Sequence, residues 1–91
     1  MKSVRILIEG RVQGVWYRGW CRENAIELGL SGWVRNRRGG NVEAVLTGES
    51  EAVDAMITRC WQGPGQANVT DINVSEEDAE SANGFEIRQT I

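Results

Sequence analysis

The chain has 91 residues and a formal net charge of −3, and this length supports a single small hydrophobic core. It contains no histidine, which excludes Ser-His-Asp and Cys-His nucleophilic sites, zinc-histidine sites and imidazole acid–base catalysis. Its apolar runs are too short for a membrane-spanning helix and its first residues lack a signal-peptide pattern, so we expect a cytoplasmic protein with no membrane partner.

The first third of the chain predicts a strand, a turn and a helix. Apolar and charged residues alternate along residues 2–12, which is the period of a half-buried strand. Residues 13–17 form the turn, and a helix is expected over about residues 17–28, where apolar residues recur on one face. Gly29 then occupies the position of a left-handed C-terminal cap.

The middle of the chain predicts a hairpin followed by a second helix. Residues 32–36 and 41–47 form the two strands, and residues 37–40, with the sequence RRGG, form the turn between them. Ser50 is expected to cap the N-terminus of a helix whose apolar residues recur at helical spacing. The Gly-Pro-Gly sequence at residues 63–65 ends that helix.

The last part of the chain predicts two strands, residues 69–75 and 85–89, on either side of an acidic loop at residues 76–83. The order β-α-β-β-α-β with an added terminal strand predicts an α+β fold of the ferredoxin-like, split β-α-β type. We expect an antiparallel sheet with both helices on one face. Since no repeat, linker or low-complexity segment interrupts the chain, residues 1–91 are expected to form a single domain.

The charges are unevenly distributed along the chain. Residues 1–41 carry a net charge of +5, whereas residues 42–91 carry a net charge of −8. The turn before the first helix lies in the basic part. A local positive field there would attract a small anionic substrate.

The two cysteines, Cys21 and Cys60, do not have the spacing of a metal site. If the two helices lie side by side and antiparallel, these residues are neighbours. Two outcomes stay open at this point: a pair of buried thiols in a reducing cytosol, or a disulfide.

The stretch that carries the most chemical information is residues 10–18, with the sequence GRVQGVWYR. A glycine-containing turn between a strand and a helix exposes successive backbone N–H groups where the helix dipole also favours negative charge. Arg18 adds a planar, permanently charged group that matches a phosphate. The pattern therefore predicts an oxyanion-binding loop. It is not a Walker-type loop, because no Gly-Lys-Ser/Thr sequence follows.

These nine residues resemble the first signature of the acylphosphatase family. Residues 32–36, with the sequence GWVRN, resemble the second signature together with Gly40, Val42 and Gly48, and they follow the first in the expected order. The resemblance covers essentially the whole chain and includes residues 84–88, with the sequence GFEIR. Two long motifs in the right order make the resemblance specific.

The resemblance implies hydrolysis of the carboxyl–phosphate bond of an acyl phosphate to a carboxylate and inorganic phosphate, without a metal or a cofactor. It implies that Arg18 binds the phosphate and that Asn36 positions the attacking water. Inorganic phosphate or sulfate is the expected product-like ligand, and one compact domain is expected to be a monomer. The backbone N–H groups that the resemblance assigns to phosphate binding are those of Gln13, Gly14, Val15, Trp16, Tyr17 and Arg18.

Most of the remaining arginines and tryptophans are expected to have other roles. We interpret five arginines as surface charges that shape the local field: Arg11, Arg22, Arg35, Arg37 and Arg38. We interpret three tryptophans as packing residues: Trp20, Trp33 and Trp61. For Trp16, in the turn, contact with the acyl group of the substrate stays open as an alternative.

Two other functions compete with hydrolysis. Ferredoxin-like sheets often bind RNA, but the aromatic stacking motif of such proteins is absent and the net charge is acidic, so we expect no nucleic-acid partner. Acylphosphatase-like domains also begin large hydrogenase-maturation carbamoyltransferases, whose ligand is carbamoyl phosphate. Since this chain ends at Ile91, a free-standing enzyme is expected. The natural acyl phosphate stays open, because metabolic acyl phosphates, carbamoyl phosphate and phosphorylated aspartates share one reacting group.

Overall fold

The computed structural model describes residues 1–78 and 84–91. The elements within those residues follow the predicted order, with bounds that differ from the prediction by one or two residues: β1 (Lys2–Arg11), α1 (Tyr17–Glu27), β2 (Ser31–Asn36), β3 (Val42–Gly48), α2 (Ser50–Gln62), β4 (Asn68–Glu76) and β5 (Phe85–Ile87). Residues 79–83 of the predicted acidic loop lie outside the described residues. In the described part of the chain, neither helix is long and apolar enough to cross a membrane.

The described strands form one sheet in the order β4-β1-β3-β2-β5. β1 pairs antiparallel with β3 and β4, and β2 pairs antiparallel with β3. β5, however, pairs parallel with β2, so the sheet is mixed and the prediction of an antiparallel sheet is wrong at this edge. A tight hairpin imposes antiparallel pairing, but β5 is not joined to β2 by a hairpin, since β3, α2 and β4 lie between them in the chain.

Both helices cover one face of the sheet, as the apolar alternation predicts. Val4, Ile6 and Ile8 of β1 lie opposite residues 46, 44 and 42 of β3, and all of these side chains are buried. The helices complete this core with six buried residues: Tyr17, Cys21, Ala25, Val53, Met56 and Cys60.

The structure confirms one predicted helix end and corrects another. Gly29 has a φ of 73°, which is the left-handed conformation expected just after α1. Ser50, predicted as the N-terminal cap of α2, is instead its first helical residue, and Glu49 occupies the cap position without a side-chain hydrogen bond. The carboxylates of Glu49 and Glu51 lie at the positive end of the helix dipole, which favours negative charge there.

Cys21 and Cys60 are both buried, and both are free thiols. They lie close enough to interact, and burial together with the neighbouring Cys60 raises the pKa of the Cys21 thiol. The hydroxyl of Tyr17 donates a hydrogen bond of 2.5 Å to the carbonyl of Cys60. This bond joins the first residue of α1 to the last turn of α2 inside the core.

The outer face of the sheet, opposite the helices, is organised around a buried carboxylate. Glu43 is only 3% exposed and accepts hydrogen bonds from Arg35 at 2.7 Å and from Arg37 at 3.1 Å. Arg5 also pairs with Glu43, and with Glu77 at 2.6 Å. Arg35 and Arg37 were predicted as surface charges, but they compensate a charge that would otherwise be buried alone.

Trp33 packs on the same outer face beneath arginine side chains. The guanidinium groups of Arg35 and Arg88 lie 4.6 and 4.7 Å from its ring centroid, and that of Arg5 lies at 5.8 Å. Guanidinium groups at such distances are attracted by the ring. Trp33 is only 3% exposed beneath these side chains, which confirms its interpretation as a packing residue.

The Glu43 network predicts how stability depends on pH. Burial disfavours the charged form of Glu43, but hydrogen bonds from Arg35, Arg37 and Arg5 outweigh that effect and hold the pKa of its carboxyl below the ordinary 4.5. A carboxylate whose pKa is lower in the folded state contributes stability that is present above the unfolded-state pKa and lost as the pH falls through the folded-state pKa. The free energy of unfolding should therefore decrease as the pH falls below 4.5.

Urea unfolding at a series of pH values tests this prediction on Glu43→Gln. The variant leaves three arginines without their carboxylate and should lose about 2 kcal/mol at neutral pH. Its stability should also depend less on pH than that of the wild type. Glu23→Gln, at an exposed helix position, is the matched control and should behave like the wild type. An unchanged pH dependence in Glu43→Gln would contradict the prediction.

Candidate active site

The loop between β1 and α1 contains two residues in the left-handed conformation. Gly14 has a φ of 74° and Trp16 a φ of 68°. When left-handed and ordinary conformations alternate, successive N–H groups turn toward one side of the chain and form an anion-binding concavity. Trp16 directly precedes Tyr17, the first residue of α1, so this concavity coincides with the positive end of the helix dipole.

The backbone N–H groups of residues 13–18 donate to no acceptor within residues 1–78 and 84–91. The first N–H of α1 that finds a backbone partner is that of Trp20, which donates to the carbonyl of Trp16 at 3.1 Å. Free N–H groups at a helix N-terminus are satisfied by water or by a ligand. The loop therefore offers a row of donors to an anion.

A cavity of about 310 Å³ opens beside this loop, a size suited to a small molecule. Residues from the loop, the first turn of α1, the end of β2 and β5 line it: Val12, Gln13, Gly14, Trp16, Tyr17, Arg18, Gly19, Asn36 and Ile87. The fold thus brings the residues of both sequence motifs to one place. Among the predicted loop residues, Val15 is not part of the lining, since its side chain packs against the core.

Arg18 differs from the arginines of the outer face. It lines the cavity from the first turn of α1 and is partly buried, but no carboxylate or carbonyl in the described part of the chain accepts a hydrogen bond from it. Arg5, Arg35 and Arg37 are instead bound to carboxylates. The guanidinium of Arg18 is therefore available to a ligand anion.

Asn36 is the last residue of β2. It lines the cavity together with residues of the loop between β1 and α1. Its Oδ1 atom is buried and has no hydrogen-bond partner among the described residues. Its backbone carbonyl accepts a hydrogen bond of 3.3 Å from the N–H of Ile91, which helps to fix the strand end. A buried polar atom without a partner is uncommon in folded proteins and indicates a site for water or a ligand.

The side chain of Gln13 has a role that the sequence motif did not indicate. Its Nε2 atom donates to the carbonyl of Arg37 at 2.7 Å and to the carbonyl of Asn41 at 2.9 Å. These carbonyls flank the β2–β3 turn just after Asn36, so the amide joins the loop between β1 and α1 to the strand end that carries Asn36. The only signal in the sequence was a long amide side chain in an otherwise compact turn.

Potential metal ligands are sparse around this cavity. Over residues 1–78 and 84–91, no three Cys, Asp or Glu side chains lie together in a way that could hold a metal ion, and the chain has no histidine. The polar side-chain groups of the lining residues are a guanidinium, two amides, an indole N–H and a phenol hydroxyl, and the loop adds free backbone N–H groups. Such groups suit an anion with several oxygen atoms, and a phosphate matches them.

Comparisons with known proteins give a consistent result. The acylphosphatase family model matches residues 4–87. An acylphosphatase of Rhodospirillum rubrum is 51% identical over 85 residues, which are 93% of each chain. The crystal structure of acylphosphatase from Bacillus subtilis is similar with a TM-score of 0.94 and 36% identity, over 97% of this chain and 99% of that one. A structure of full-length HypF has a TM-score of 0.90 and 26% identity, over 98% of this chain but only 12% of that one.

Replacing Arg18 by alanine should weaken the binding of inorganic phosphate by at least about tenfold, since charge-assisted hydrogen bonds to an anion are lost. Isothermal titration calorimetry at physiological salt measures the effect. Arg11→Ala is the matched control, because it removes a nearby charge from an exposed residue that does not line the cavity. Its affinity should stay within about twofold of the wild type. An equal loss of phosphate affinity in both variants would show that Arg18 contributes only to the general positive potential and does not bind the phosphate directly.

Replacing Gln13 by alanine should detach the loop from the β2–β3 turn. Two hydrogen bonds are lost and two carbonyls lose a donor, so the free energy of unfolding should decrease by about 1–2 kcal/mol. Phosphate affinity should decrease as well, because the loop is then held less firmly. Chemical unfolding and calorimetry measure the two effects. A variant as stable as the wild type would show that the amide does not join these segments.

Proposed function

Because the chain belongs to the acylphosphatase family, we propose that the cavity beside α1 is the place where it hydrolyses acyl phosphates. The reaction breaks the carboxyl–phosphate bond of a small-molecule substrate and yields a carboxylate and inorganic phosphate. One observation supports this location above all. Three kinds of group without an internal hydrogen-bond partner in the described part of the chain lie at or beside the cavity: the N–H groups of the loop, the guanidinium of Arg18 and the buried Oδ1 atom of Asn36.

In the proposed complex, the phosphate lies against the backbone N–H groups of residues 13–18 and the guanidinium of Arg18. Phosphoryl transfer depends mainly on positioning and on stabilising the charge that spreads over the equatorial oxygens. Fixed donors act on that charge without reorganising during the reaction. The free state of these donors in the structure supports the proposal, since no internal hydrogen bond has to break before the substrate binds.

The leaving group makes few demands on the enzyme. A carboxylate has a pKa of about 4–5, by analogy with Asp and Glu side chains, so it departs as a stable anion without a general acid. A chain without histidine can therefore carry out this reaction. We propose that the hydrolysis needs neither a metal nor a cofactor, because N–H groups and Arg18 supply the positive potential.

We assign the positioning of the attacking water to Asn36. Its side-chain amide does not ionise near neutral pH and cannot act as a base, but its Oδ1 has no hydrogen-bond partner among the described residues, and we propose that it accepts one from the attacking water. The water then attacks phosphorus in line with the departing carboxylate. One proton of the water passes to a phosphate oxygen of the substrate, since the amide of Asn36 cannot act as a base.

The outer face of the sheet does not favour RNA as an alternative ligand. Base stacking needs an accessible aromatic face, whereas the ring of Trp33 is covered by arginine side chains. Two of these arginines, Arg5 and Arg35, are also paired with the carboxylate of Glu43. These observations support a small-molecule substrate in the cavity.

We further propose that the enzyme works as a cytoplasmic monomer, with inorganic phosphate or sulfate as product-like ligands. The buried free thiols of Cys21 and Cys60 support a reducing compartment. All the groups assigned to the reaction come from one chain, so the site does not require a second copy.

Hydrolysis of benzoyl phosphate in the presence of EDTA tests the proposal. The wild type should hydrolyse it well above the spontaneous rate. Asn36→Ala should lower kcat by roughly 10²–10³-fold, the usual effect of removing one preorganised hydrogen-bonding group, while competition by inorganic phosphate changes much less. Arg18→Ala should lose both turnover and phosphate competition.

Asn73→Ala, on an exposed part of β4, is the matched control for Asn36→Ala and should keep wild-type kinetics. Activity of Asn36→Ala within about twofold of the wild type would remove Asn36 from the mechanism. A pH–rate profile with an essential base of the enzyme titrating at pH 6–7 would contradict proton transfer to the substrate. No hydrolysis by the wild type would leave an anion-binding domain without this activity.

A further inference from the structure

Trp16 is the most exposed aromatic residue near the cavity, and its place is unusual for so large an apolar side chain. It is 61% exposed, whereas tryptophan is highly buried on average in folded proteins. Trp16 is one of the residues that line the cavity, and its indole lies directly against Gly19, in the first turn of α1. A methyl group added at Gly19 would collide with the indole Nε1 atom.

Two residues at this place, Trp16 and Gly19, are unfavourable for the stability of the local backbone. Trp16 is the one described residue other than glycine with a positive φ, and that conformation is unfavourable for bulky residues. Gly19 lies inside a helix, where glycine is less favourable than alanine. Together, the backbone conformation of Trp16 and the missing side chain of Gly19 allow the indole to lie against the first turn of α1 at the edge of the cavity.

Ile87 adds a second apolar group to the same cavity. It belongs to β5, is 45% exposed and lines the cavity together with Trp16. The polar residues Arg18 and Asn36 also line the cavity, and they are assigned above to the phosphate and to the attacking water. In an acyl phosphate the acyl carbon is one bridging oxygen away from phosphorus, so the acyl group has to lie within the same cavity as the bound phosphate.

We propose that Trp16 and Ile87 form the acyl subsite and that Gly19 positions the indole within it. The subsite selects acyl phosphates with an aromatic or extended hydrocarbon acyl group over those with a small polar or one-carbon substituent, because the indole face offers contact only to the former. This inference rests on the proposed function, since it assumes that the phosphate occupies the neighbouring N–H groups.

The test compares kcat/KM for benzoyl phosphate with kcat/KM for acetyl phosphate. Both substrates carry the same phosphate, so a disturbance of the phosphate site affects both and cancels in the ratio. Trp16→Ala should lower the benzoyl-to-acetyl ratio by about 3- to 10-fold, the range of an aromatic contact. The loss should fall mainly on KM for benzoyl phosphate, as expected for a contact present before the transition state. Trp61→Ala, an exposed tryptophan of α2 outside the cavity, should leave the ratio unchanged.

Gly19→Ala tests the positioning role with Trp16 intact. The added methyl group displaces the indole, so the ratio should fall toward that of Trp16→Ala. In the Trp16→Ala background the same substitution should have no further effect, because no indole remains to be displaced. Alanine also favours the helix, so far-ultraviolet circular dichroism should show that Gly19→Ala folds normally.

The outcomes separate the two proposals. A lower ratio in both single variants, with no further change in the double variant, supports the acyl subsite. Hydrolysis of both substrates by the wild type with an unchanged ratio in Trp16→Ala and Gly19→Ala overturns the acyl subsite alone. If the wild type hydrolyses neither substrate, the proposed function is overturned, and this inference with it.

Discussion

The register of β1, β3 and β2 is the constraint on which the candidate site depends. Ile8, near the end of β1, and Asn36, at the end of β2, both pair with Val42 at the start of β3. The loop that follows β1 and the amide of Asn36 are therefore brought to the same end of the sheet. A slip of one residue would turn every side chain of a strand to the opposite face, so the buried alternation that stabilises the core also aligns the site.

The arginines of the outer face and Arg18 have different surroundings. On the outer face, Arg5, Arg35 and Arg37 surround the buried carboxylate of Glu43, and their charge is largely compensated there. Arg18, at the start of α1, has no such partner in the described part of the chain. Its charge acts together with the helix dipole rather than against a carboxylate. Because the outer-face arginines are paired with Glu43, the positive charge of Arg18 is the one that remains uncompensated among the residues lining the cavity.

Sequence patterns between neighbouring residues predicted most of the secondary structure. The features that they missed depend on contacts between residues far apart in the chain. Alternation along β1 and the left-handed glycine after α1 depend on local conformation, and both were predicted. The parallel pairing of β5 with β2 depends on where a distant segment enters the sheet, which no local pattern encodes. The same holds for the Gln13 side chain, whose carbonyl partners belong to another turn, and for the burial of Glu43, which needs arginines from two strands and a turn.

The hydrogen bond between Tyr17 and the carbonyl of Cys60 has a consequence for how a ligand meets the loop. Val12, just before the loop, and Tyr17, just after it, are each 1% exposed and belong to the core. The few residues between them are thus fastened at both ends, and opening them would require breaking the interior. In the proposed complex, the anion therefore meets a loop that already has its binding conformation, so little conformational entropy is lost on binding, and the attraction between the donors and the anion is retained as affinity.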